Sequence, residues 1–249
     1  MDNATKKQLK QPDQFVSLTE KGVGWAEQNR QTAILYAGAA LVLILAIVGS
    51  YMLYEHRSNA AATAFGEAMQ TYQMPVANGA QPLPPGIKSF PSETERAKAA
   101  NAQFLDVADR YGMTKPGKVA RYFAGVTYME EGQNSSAEDT LKKVASGWDS
   151  DIAALGKLGL AQLYQETGRE PQAITLYDEL AKGKSDTVSP GLAQLQLAEM
   201  YSAEGKQDKA KEIYAKLKDS DKDAKGNPGP AGSLAAEKLN PTPQPGLRQ

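Results

Sequence analysis

Side chains with the chemical range for catalysis are few in this chain and poorly spaced. Histidine occurs once, at His56, and cysteine not at all, which excludes a thiolate nucleophile, a thiolate metal site, a disulfide framework and a lipid anchor on cysteine. Acid–base pairs would have to come from carboxylates such as Glu130 with Glu131, or Glu138 with Asp139. Neighbours in a helix point in different directions, so these pairs read as solvated faces rather than as an acid and its base. His56 closes the stretch GSYMLYEH and reads as an interface residue, not a ligand. The glycines of NPGPAG at 227–232 lack a following Lys-Ser or Lys-Thr and form no phosphate loop. A hydrolase hidden in the chain is disfavoured by the missing nucleophile–base pairs. No enzyme, cofactor, metal or small-molecule substrate is expected.

The 249 residues carry 28 basic and 29 acidic side chains. A nucleic-acid binder needs a concentrated basic surface, so this balance argues against one. Protein partners and a membrane remain.

The membrane is written between Arg30 and Glu55, where QTAILYAGAALVLILAIVGSYMLY carries no charge. As a helix this run would measure roughly 36 Å, against a hydrocarbon core of about 30 Å. Tyr36 near one end and Tyr51 and Tyr54 at the other suit the two interfaces. Lys6, Lys7, Lys10, Lys21 and Arg30 precede the run, while Arg57 alone follows closely. The positive-inside rule then leaves the N-terminus in the cytoplasm and sends the larger part across the membrane. A buried helix of a soluble protein is the bland alternative. A cleaved signal peptide is another, because NAAATA at 59–64 offers small residues. The long leader, the length of the run and the intervening EHRS favour an uncleaved anchor. In the leader, Phe15, Leu18 and Trp25 share one helical face, for interfacial anchoring or for docking on another membrane protein.

The remaining chain repeats itself. YMEEGQNSSAEDTL, YQETGREPQAITLY and YSAEGKQDKAKEIY align on Gly132, Gly168 and Gly205, spaced by 36 and 37 residues. A tyrosine stands four residues before each glycine: Tyr128, Tyr164, Tyr201. A small residue stands seven before: Gly125, Ala161, Ala198. Ala137, Ala173 and Ala210 stand five after, followed by Leu141, Tyr177 and Tyr214, then Val144, Leu180 and Leu217. Such a period predicts helical hairpins stacked as a solenoid. Glycine ends each first helix, and the small residues let helix axes approach. Ala100, Phe104 and Val107 continue the pattern half a repeat upstream, and Phe65 and Ala68 echo it further back.

These residues resemble the tetratricopeptide repeat, although Arg121, Lys157 and Gln194 stand where its large first-helix aromatic belongs. AQFLDVADRY followed by ARYFAGVTY looks like envelope members such as the TolA-binding coordinator and BamD, which lack the present layout. That layout is similar to the YfgM family, ancillary to the SecYEG translocon. It comprises a cytoplasmic leader (1–30), a span (31–54), a helical extension (55–73), a Pro-rich linker (74–92), a repeat domain (93–219) and a mobile tail (220–249). The fold class is therefore all-α: one transmembrane helix and a solenoid of about three and a half helix pairs. A turn of helix in SLAAEKL is a candidate cap for the last repeat. Ser92, with Glu95 three residues on, should cap the first domain helix.

In tetratricopeptide arrays the first helices line a concave groove. By that resemblance the groove here is built from Tyr122, Val126, Met129, Leu158, Gln162, Gln165, Leu195, Glu199 and Ser202. Lys, Arg and Asn of the carboxylate-clamp type are missing from this set. Its apolar and amide character suits extended or unfolded segments, while Tyr122, Leu158 and Leu195 equally suit a core between hairpins. The resemblance implies a non-enzymatic periplasmic scaffold at the bacterial inner membrane, linking SecYEG to periplasmic chaperones. A scaffold for cell division, outer-membrane assembly or polysaccharide export is the alternative.

Overall fold

A computed structural model describes residues 27–77, 86, 88–222 and 225–240. Among them the regular backbone is helical throughout, with two isolated β-bridges, Val76–Phe90 and Lys222–Pro228, and no strand. The chain divides between His56 and Arg57 into two compact units.

The described part of the first unit opens helix α1 (Arg30–Tyr72). The expected span and its extension run on as this one helix, with no break at 54. Its most apolar window has a mean hydropathy of 2.4, and none of that window is buried. Leu35 and Val42 are 68% and 67% exposed. The helix is long and apolar enough to cross a membrane. The leader helix expected around Phe15, Leu18 and Trp25 lies outside the described residues.

The second unit begins with the end of α1. It continues through α2 (Glu93–Tyr111), α3 (Lys115–Glu130), α4 (Asn134–Ala145), α5 (Ser150–Glu166), α6 (Glu170–Lys182), α7 (Pro190–Ala203), α8 (Gln207–Ser220) and α9 (Pro230–Leu239). Helix starts carry local signals. Ser92 accepts a bond from the Glu95 amide at 3.1 Å, as its spacing requires. Thr114 and Asp149 do the same for α3 and α5. Proline stands in the first turn of α3, α6, α7 and α9, where its missing N–H costs nothing.

The hairpins α3–α4, α5–α6 and α7–α8 turn at Gly132, Gly168 and Gly205, whose φ values are +73°, +70° and +77°. In each turn the glycine amide donates to the carbonyl three residues back. The next amide reaches the repeat tyrosine: Gln133 to Tyr128, Arg169 to Tyr164 and Lys206 to Tyr201, at 2.7–2.8 Å. This double closure needs a left-handed residue at its centre, and glycine takes that shape without strain.

Between helices the large and small positions interlock. Ala137, Ala161, Ala173, Ala198 and Ala210 are buried, as are Leu141, Tyr177, Tyr214 and Leu217. Upstream, Phe65, Phe104 and Phe123 form an aromatic centre with ring centroids 5.3–5.8 Å apart, joining α1, α2 and α3. Asn101 is buried within it and donates to the Ala124 carbonyl and Thr127 hydroxyl, both at 2.9 Å. That satisfied polar pair registers α2 against α3.

One expectation needs correction. The segment read as a mobile tail contains α9, ten residues long and packed on α7 and α8 through Ala231, Ala235 and Leu239. The Asp221 carboxylate accepts a bond from the Gly232 amide at 2.7 Å, and its carbonyl accepts from Gly229. The negative charge sits where the exposed amides of the α9 N-terminus favour it. The predicted single turn is thus a full capping helix, pinned at its start. Residues 241–249 lie outside the described residues.

Candidate functional site

The nine groove positions lie on α3, α5 and α7, and they fare differently. On α3, Tyr122, Val126 and Met129 are half-buried. The Tyr122 ring stands edge-on to Phe123 at 5.3 Å, and a side chain on Gly159 would meet it at 3.3 Å. It therefore fills the seam between α3 and α5, and burial pushes its hydroxyl pKa up. On α5, Leu158 packs against the central cluster, while Gln162 and Gln165 are exposed. The Gln165 amide is held in place, because its oxygen accepts from the Tyr177 hydroxyl at 3.2 Å. It lines a cleft of about 480 Å³ with Glu170, Pro171, Met200, Ala203 and Glu204.

On α7 the expected groove positions are partly covered or engaged. Leu195 is 4% exposed and belongs to the cluster under α9. Glu199 pairs with Lys238 of α9 at 3.0 Å. Ser202 engages Gln207 across the turn. Within the set Gln162 and Gln165 are exposed, Tyr122, Val126, Met129, Leu158, Glu199 and Ser202 are half-buried, and Leu195 is buried.

Two carboxylates that spacing alone assigned to solvated faces act as clasps. Glu138 on α4 accepts from Lys142 and Arg169, both at 2.7 Å, and from the Tyr164 hydroxyl at 3.1 Å. Lys142 and then Arg169 hold its carboxyl down to about 2. Arg169 also stacks over the Tyr164 ring at 4.2 Å, so one turn residue locks the second hairpin to the first. Glu130 accepts from the Tyr72 hydroxyl and lies 3.7 Å from Arg96, tying α1, α2 and α3 together. The polar replacements for the missing aromatic find partners too: Lys157 pairs with Glu179 at 2.7 Å, and Arg121 donates to the Ala108 carbonyl at 3.2 Å. Apart from the i,i+4 pair Glu138–Lys142, no spacing rule points to these hydrogen bonds and ion pairs, whose members stand 13 to 58 residues apart.

The sequence profile of the tetratricopeptide repeat-like domain matches residues 24–216. The chain belongs to this family. The matched stretch takes in the uncharged run as well as all three glycine turns. Two solved structures of a putative kinesin light chain from Podosopora anserina, with nearly identical TPR-like repeats, share the fold. One of the two is a point variant of the other. Each is 18% identical, with a TM-score of 0.52, and the alignment covers 74% of this chain and 84% or 85% of theirs. No curated protein sequence matches the chain. Tetratricopeptide repeat-like folds are typically non-catalytic protein-interaction scaffolds.

Proposed function

We propose that the chain is a membrane-anchored, non-enzymatic scaffold on the periplasmic face of the bacterial inner membrane. It serves the Sec translocon as an accessory, passing emerging segments to periplasmic chaperones. The observation that carries this reading is the union of an uncharged membrane-length run and a repeat array in one matched family segment, 24–216. The similarity to YfgM in leader, span and degenerate repeats supplies the translocon. The NAAATA stretch supports an uncleaved anchor, because it is helical and Ala61 is fully buried among the domain helices. Met129, Gln162 and Gln165, with amide and thioether groups and no clamp cations, suit extended segments of varied sequence.

Purification of the full chain in mild detergent tests the reading. Translocon subunits should come with it, and photocrosslinkers at Gln162 and Gln165 should capture periplasmic chaperones or nascent chains. A purification free of translocon subunits, with division, outer-membrane-assembly or polysaccharide-export proteins in their place, would reassign the scaffold to that machine.

A further inference from the structure

One end of the repeat unit carries a surface that the groove does not explain. Trp148, between α4 and α5, is 85% exposed, and Met113, between α2 and α3, is 83% exposed. An exposed tryptophan presents a large apolar ring with a polar edge, the kind of side chain that sits where an apolar phase meets water. The Lys118 ammonium lies 3.9 Å over the Trp148 ring. Lys143 and Arg121 join them around a recess of about 150 Å³ floored by Val144 and Ile152. Among the described residues Lys118 and Lys143 form no ion pair. Asp149 caps α5 through the Ile152 amide, Asp109 lies 3.5 Å from Arg121, and Asp139 stands one helical turn before Lys143.

We infer that this patch docks on an anionic lipid surface. Tryptophan, methionine and unpaired lysines together are the composition of a headgroup-level contact, with apolar groups entering the interface and cations meeting phosphates. Chain continuity selects lipid over an acidic protein. Arg57 follows the last uncharged residue, Tyr54, by three positions. It donates to the Arg110 carbonyl at 2.7 Å and faces the Tyr111 ring, immediately before Gly112 and Met113. A bilayer holding the uncharged run is thus tethered by a few residues to the loop that bears Met113. The inference rests on the membrane anchor of the proposed function. It adds a second lipid contact, distinct from the anchor.

The test uses the full chain with Trp25→Phe, which leaves Trp148 as the sole tryptophan. The protein is reconstituted in vesicles of phosphatidylglycerol and phosphatidylcholine, with and without brominated acyl chains. Brominated lipid should quench Trp148, and its emission should lie to the blue of the same protein in pure phosphatidylcholine. Lys118→Glu with Lys143→Glu should abolish the quenching, each cation being worth about fivefold in the docked-to-free ratio. Both lysines reach solvent, and an unchanged helical spectrum would show that the variant folds. Carbonate extraction of the same vesicles reports the anchor separately. Protein that resists carbonate while Trp148 goes unquenched overturns the patch and leaves the anchor standing. Trp148 shielded from aqueous iodide but not quenched by bromolipid means a protein partner, and also overturns it. Release by carbonate overturns the anchor and the patch together.

Discussion

A Cβ built on Gly125 would stand 2.6 Å from Cδ2 of Leu141. The same leucine lies 2.8 Å from the corresponding point on Gly159, so one α4 side chain wedges between two glycines on α3 and α5. The small position of the repeat is small because the large position of the same hairpin occupies its space.

Gly125→Ala should therefore destabilise the repeat unit by about 1–3 kcal/mol, the range for overpacking a tight core. Chemical denaturation measures the loss. Adding Leu141→Ala should make the pair less harmful than the sum of the two single changes. Strict additivity would refute the wedge.

The turn glycines are required for a different reason. Nothing lies within 4 Å of a Cβ on Gly168 or Gly205, yet both have positive φ. Gly168→Ala should cost about 1–2 kcal/mol through backbone strain alone, and Gly168→Asn less, since asparagine tolerates the left-handed region. A thermal-melt series over Ala, Asn and Val checks that order.

Glu138 makes stability depend on pH. Its carboxyl is lowered from 4.5 to about 2, so its contribution is whole above about pH 4.5 and fades as pH falls towards 2. Glu138→Gln should cost roughly 1 kcal/mol at pH 7, since the pairs are partly exposed. Urea titrations should show that gap closing between pH 4.5 and 2.5. A gap of constant size would mean that the charge does not stabilise the clasp.

Asp221 should control the capping helix. Asp221→Ala removes the acceptor of the Gly232 amide, a cap worth about 1 kcal/mol. Proteolysis at 222–229 should quicken, and a dye for apolar surface should bind as Leu195 is uncovered. Equal cleavage rates would show that α9 is held without this carboxylate.

Leu158, Gln162 and Gln165 share one helix but should separate by assay. Leu158→Ala, against the central cluster, should cost about 2 kcal/mol or more. Gln162→Ala should leave stability within about 0.5 kcal/mol, and Gln165→Ala should cost about 1 kcal/mol by orphaning the Tyr177 hydroxyl; both should lower crosslinking to partners. A larger loss from Gln162→Ala would place that side chain in the core instead.

Much of this architecture is legible along the chain because its causes are local. A tyrosine four residues before a glycine, closing a left-handed turn, involves six consecutive residues and reads the same three times. The uncharged run is legible for a related reason: its length and lack of charge are linear properties. The groove was read less well. Leu195, Glu199 and Ser202 occupy the same register as Leu158, Gln162 and Gln165, yet α9 closes over α7 and not over α5. Register identifies a face of a helix, and another part of the chain decides whether that face stays open.

By itself, then, the sequence determined that there are hairpins, where they turn, which side chains interlock within them and that one segment suits a bilayer. Helix geometry repeats over a few residues, so those facts follow from short-range spacing. Tertiary structure alone decided that Glu138 would meet Arg169, that Asn101 would find Thr127, that Lys118 would lie on Trp148, and that α9 would fold back over Leu195. These contacts depend on the angle at which one hairpin packs on the next. That angle is set by many side chains acting together, and no single stretch of sequence records it.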